Sequence, residues 1–69
     1  MINDYKELRG ILIKKTKNIF WEYIFKVNDG TKTVSVKVGK GLFDKYQLNS
    51  QLTIGFKGKK LINIRSGFN

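Results

Sequence analysis

IFWEYIFKVNDGTKTVSVKV, residues 19–38, decides the fold. Apolar side chains recur at every second position: Ile19, Trp21, Tyr23, Phe25 and Val27 in the first half, Val34, Val36 and Val38 in the second. A period of two marks a strand with one buried face. The alternate row, Phe20, Glu22, Ile24 and Lys26, carries two charges that would be costly to bury unpaired, so the odd row is expected to face the core. Asn28-Asp29-Gly30 stands between the halves, and these residue types accept a positive φ at low cost. The segment therefore reads as a hairpin of strands 19–27 and 31–38, with Thr33, Ser35 and Lys37 turned outward.

On the N-terminal side, GILI (10–13) reads as a first strand with Ile11 and Ile13 on one side. On the C-terminal side, QLTIGF (51–56) and LINIR (61–65) alternate again, placing Leu52, Ile54 and Phe56, then Ile62 and Ile64, inward. LFDKYQLNS (42–50) loses the period of two and reads as a short helix anchored by Leu42, Phe43 and Tyr46. DYKE (4–7) has capping-box spacing, which predicts one helical turn within a lead-in over residues 1–9.

The whole chain, 1–69, is expected to form one all-β domain, a small five-stranded barrel ordered strand–strand–strand–short helix–strand–strand. Five strands left flat in so short a chain would expose damaging edges, which closure removes. No proline bars any strand from a sheet interior. This order resembles the OB-fold; the SH3-like barrel is the nearest rival, and the helix between strands three and four favours the former. The pattern of Gly10, Asp29-Gly30, Val36, Val38 and Phe43-Asp44 is also similar to that of short bacterial barrel proteins, a resemblance that brings no activity with it. Cold-shock domains share the length and class, but their aromatic motifs are missing from VSVKV and IGFKGKK.

A chain of 69 residues buries only about 60% of the surface its unfolded form exposes. Cysteine and histidine are both absent, which removes disulfides, the usual zinc sets and the usual nucleophile–base pairs. The apolar core, or a second copy, must hold the fold. The carboxylates Asp4, Glu7, Glu22, Asp29 and Asp44 are scattered over separate elements, and no phosphate-loop signature surrounds the glycines. Neither an enzyme nor a metal or cofactor is expected. The start shows no apolar signal segment and no run approaches a membrane span, so a cytoplasmic location is expected. With no basic amphipathic helix, no membrane partner is expected either.

Charge is the informative quantity. Fourteen Lys and Arg oppose five Asp and Glu, a net +9. An AT-rich coding bias would enrich lysine, but it would supply acids as well, and acids are scarce. Residues 31–69 carry eight cations against Asp44 alone, a net +7. Two clusters stand out: KKTKN (14–18), read as the loop after the first strand, and KGKK (57–60), the turn between the last two. In the OB-fold that the order resembles, these two loops flank a ligand face made by strands two and three. The resemblance thus implies a groove with Lys14, Lys15 and Lys17 on one wall and Lys57, Lys59 and Lys60 on the other. Phe20, Lys26 and Lys37 would lie between them, Phe20 as a base-stacking platform. Lysine outnumbers arginine twelve to two, which suits point contacts with phosphate over bidentate reading of bases.

The expected function is a small nucleic-acid-binding module for single-stranded DNA or RNA with little sequence preference. The alternative is an interaction or inhibitor protein of the kind that phages and plasmids carry. It would bind an acidic protein, or a second copy as a homodimer, through Phe20 and Ile24. Solvated lysines at sheet edges, which deter aggregation, would explain each cluster taken alone.

Overall fold

The computed structural model describes residues 4–68. The elements follow as β1 (Tyr5–Lys17), β2 (Tyr23–Asn28), β3 (Thr33–Val38), α1 (Lys40–Lys45), β4 (Gln51–Lys57) and β5 (Lys60–Ser66). The strands form one closed barrel in the order β1-β2-β3-β5-β4, with β4 returning to β1. Every pairing is antiparallel except that of β3 with β5, which are parallel and meet through one residue pair, Lys37 and Lys60. The all-β, five-stranded closed architecture with a helix after the third strand is the one the sequence predicts. No helix among the described residues is long and apolar enough to cross a membrane.

The first strand is far longer than GILI. β1 pairs with β4 over Tyr5–Ile11 and with β2 over Ile11–Lys17, so a single strand serves two neighbours by curving round the barrel. DYKE consequently starts a strand and forms no helical turn; the first three residues of the lead-in lie outside the described residues. Leu8, Gly10 and Leu12 face the interior, Ile11 and Ile13 lie on the other side, and a register shift opposite β2 follows between Leu12 and Lys14. A bulge of this kind adds one residue to one side of the ladder and reverses the alternation beyond it. Glycine is required at position 10, because a Cβ there would collide with the Asn28 carbonyl of β2. KKTKN is therefore mostly strand, and the β1–β2 loop runs over residues 18–22.

The turn between β2 and β3 follows its composition. The Asn28 side-chain oxygen accepts the Gly30 N–H at 2.8 Å, and Gly30 adopts φ 101°. Asp29 accepts the backbone N–H groups of Lys32 and Thr31, each at 2.9 Å, and the Thr31 hydroxyl. Those donors, Lys32 first, hold the Asp29 carboxyl below the usual carboxylate range. A depressed folded-state pKa stabilises the turn at neutral pH, and this contribution fades as pH falls through that lowered value.

The core consists of Leu8, Leu12, Phe25, Val27, Val36, Tyr46, Leu52, Ile54 and Phe56. α1 covers one end of it: the Phe43 ring lies 4.7 Å from Tyr23 and 6.0 Å from Phe25, while Tyr46 meets Phe25 edge-on. The helix is shorter than 42–50, but Leu42, Phe43 and Tyr46 are the anchors expected. Strand β5 departs from its predicted facing. A register shift at Gly55/Phe56 pairs Phe56 with Leu61, so Leu61 and Ile64 pack on the core and Ile62 turns to solvent. The outer side of β4 is also covered. Thr53 donates its hydroxyl to the Gly67 carbonyl at 2.7 Å, and the Tyr5 hydroxyl sits over Gly55.

Candidate nucleic-acid interface

Cross-strand partners in an antiparallel ladder point to the same face. Because Phe25 is buried, its partner Lys15 belongs to the inner row, and the outer row runs through Lys14, Lys26 and Ser35. The next outer row joins Thr16, Ile24, Lys37 and Lys60 across four strands. An open groove of about 440 Å³ lies along these rows. Ile24 and the Val36 backbone region form its floor, Thr16 and Ser35 offer hydroxyls, and Lys26, Lys37 and Lys59 supply the cations.

The β4–β5 turn reaches this groove because the Lys37 N–H donates to the Lys59 carbonyl at 2.7 Å. The β1–β2 loop reaches it through Glu22, whose carboxylate accepts the Lys37 ammonium at 2.6 Å. The two loops do meet at one face. Between them, however, lies an acid that sequence reasoning assigned no role. The Lys37 ammonium, with help from the Asn18 amide, holds the Glu22 carboxyl below its ordinary value, so it stays ionised throughout the neutral range.

Asn18 organises the loop. Its side-chain oxygen accepts the Phe20 and Glu22 N–H groups, its amide donates to Glu22 at 2.8 Å, and its carbonyl accepts the Trp21 N–H. Chain reversal at Asn18 ends the alternation that the sequence appeared to continue through Ile19 and Trp21. Neither of these side chains is core: Ile19, Phe20 and Trp21 are 86%, 74% and 70% exposed. Trp21 adopts φ 63°, a left-handed conformation that costs a non-glycine residue about 1–2 kcal/mol.

The nine nominated residues therefore divide. Lys26, Lys37 and Lys59 line the groove, and Lys14 shares its face beside Lys26. Lys15 sits 4.7 Å above the Phe43 ring and Lys17 sits 3.6 Å above Trp21, both on the opposite side of the hairpin. Phe20 stands at the loop apex, away from the β2 face. Lys57 and Lys60 are exposed partners at the β4–β5 turn, outside the groove lining.

Comparison of the chain with protein-family models, with curated proteins and with solved structures finds no match.

Proposed function

We propose that this protein is a small OB-like module that holds single-stranded DNA or RNA in the groove over β2 and β3, with little preference for sequence. The helix between β3 and β4 and the parallel meeting of β3 with β5 support the OB-like reading over the SH3-like one. One observation carries the functional reading: Lys14, Lys26, Lys37 and Lys59, from four different strands or turns, share one concave face floored by Ile24. Cations spaced along a path beside apolar surface are what a strand of phosphates and bases requires. Lysine side chains reach phosphate as point charges and read no bases, hence the tolerance of sequence.

Titration of labelled single-stranded DNA, single-stranded RNA and duplex, at about 50 mM and about 200 mM salt, tests this. Four phosphate contacts on a single strand predict a log–log salt slope of roughly −3. Failure of every oligonucleotide to bind at the lower salt would sink the reading.

Glu22 gives the sharper check. In the free protein it neutralises Lys37, and an incoming phosphate must displace it. Glu22→Gln removes that competitor and a like charge from the phosphate path. Affinity for a single strand should rise roughly five- to tenfold at about 50 mM salt, as if one more contact were made. A weakened affinity would mean that Glu22 serves the loop's shape more than it restrains the groove.

A further inference from the structure

The apex of the β1–β2 loop is not used by the groove. Ile19, Phe20 and Trp21, three large apolar side chains in succession, are 86%, 74% and 70% exposed. They are held out and do not merely dangle. Asn18 fastens both ends of the loop through Phe20, Trp21 and Glu22, and Trp21 is kept at φ 63°. Strain maintained by a hydrogen-bonded frame points to a use for the geometry it fixes. Directly behind the apex come Lys15 and Lys17, with Lys17 lying against the indole at 3.6 Å. No acid interrupts residues 8–21, and Glu22 is occupied by Lys37.

We propose that this apex docks on an anionic lipid bilayer, with Ile19, Phe20 and Trp21 entering the acyl boundary and Lys15 and Lys17 resting at the phosphates. Interfacial anchors bury their apolar face roughly 5–10 Å deep. A strand advances roughly 3.3 Å per residue, which sets Lys17 and Lys15 at headgroup depth once the apex is in. Tryptophan favours this boundary, and lysine stems extend along apolar surface while their ammonium stays wet. Anionic headgroups complement the cations, and a few apolar side chains need that second attraction to bind stably.

A second copy fits less well. Three such side chains cover at most roughly 600 Å², short of the roughly 800 Å² per partner that a stable interface buries. Nucleobases fit less well too, because Ile19 has no π-face and Lys17 already occupies one face of Trp21. The device uses a loop, which is why the absence of a basic amphipathic helix does not exclude it.

Trp21 is the sole tryptophan of the chain, so its emission reports the apex directly. Vesicles of phosphatidylcholine with phosphatidylserine should shift that emission to the blue and sediment the protein at about 50 mM salt, while phosphatidylcholine alone should not. The double variant Ile19→Ser/Phe20→Ser keeps the fluorophore and should partition at least tenfold less. Lys15→Gln/Lys17→Gln, which keeps all three apolar side chains of the apex, should weaken binding to the anionic vesicles alone. Circular dichroism confirms the fold of each variant. The proposal is overturned if anionic vesicles fail to bind, or if the Ile19→Ser/Phe20→Ser protein partitions like the original. It is overturned equally if emission answers to oligonucleotides and not to vesicles, which would assign the apex to base stacking.

Discussion

Lys26→Gln/Lys37→Gln/Lys59→Gln should lose on the order of 10²-fold in affinity for single-stranded oligonucleotides at about 50 mM salt, and its log–log salt slope should flatten by about 2. Each lysine that neutralises a phosphate releases roughly 0.7 of a counterion, so three removed contacts change both quantities together. These three side chains line the groove and none is buried in the core. The thermal midpoint should therefore stay close to that of the parent, apart from the exposed Glu22–Lys37 pair. Lys6, Lys32 and Lys40 lie outside the groove lining, and replacing them removes the same net charge. That control should cost far less affinity. Equal losses from the two triple variants would show that overall charge, and no particular face, governs binding.

Phe25→Ala should abolish the cooperative thermal transition. Phe25 is fully buried and meets both Phe43 and Tyr46, so it joins the barrel wall to the helix that covers its end. Truncating such a phenylalanine costs about 3–5 kcal/mol. A domain of this length has only about 3–10 kcal/mol in total. Phe20→Ala, five positions earlier and 74% exposed, should leave the transition within about 2 °C of its original place. Period two already puts the two phenylalanines in opposite rows, and the structure sets Phe20 at the apex of Asn18's loop and Phe25 within β2. A calorimetric scan that shows a sharp transition for Phe25→Ala would mean that the end of the barrel is held by contacts other than these rings.

Those two residues also show what the sequence makes legible. Period-two alternation marks Phe25, Val27, Val36, Leu52, Ile54 and Phe56 as core, and all are buried. It fails at Ile19 and Trp21 because the pattern continues unbroken while the strand does not. The strand's start is fixed by hydrogen bonds that the Asn18 side-chain oxygen accepts from the N–H groups two and four positions later, and apolar spacing carries no record of them. Ile62 fails for another reason: it stands at a register shift, where one inserted residue exchanges the two faces of a strand. A second such shift, just beyond Leu12, explains the site. That lysines near 15 and near 58 come to one end of the barrel is readable from strand order. That Lys14 shares the outer face with Lys26 while Lys15 and Lys17 turn to the inner side depends on the bulge at Ile13. Glu22's place was hidden because its partner, Lys37, becomes its neighbour only through the β2–β3 pairing.

β3 and β5 meet through one residue pair, whereas every other pair of neighbouring strands is joined along several positions. The cylinder thus has a seam, and the groove straddles it: Lys37 stands on one lip and Lys59 on the other. Parting the lips sacrifices little of the ladder and leaves Phe25, Leu52 and Ile54 packed where they are. The cleft can accordingly widen or narrow without melting the wall that carries it. Hydrogen exchange should register that breathing first at the Lys37 amide, long before the β1–β2 ladder yields.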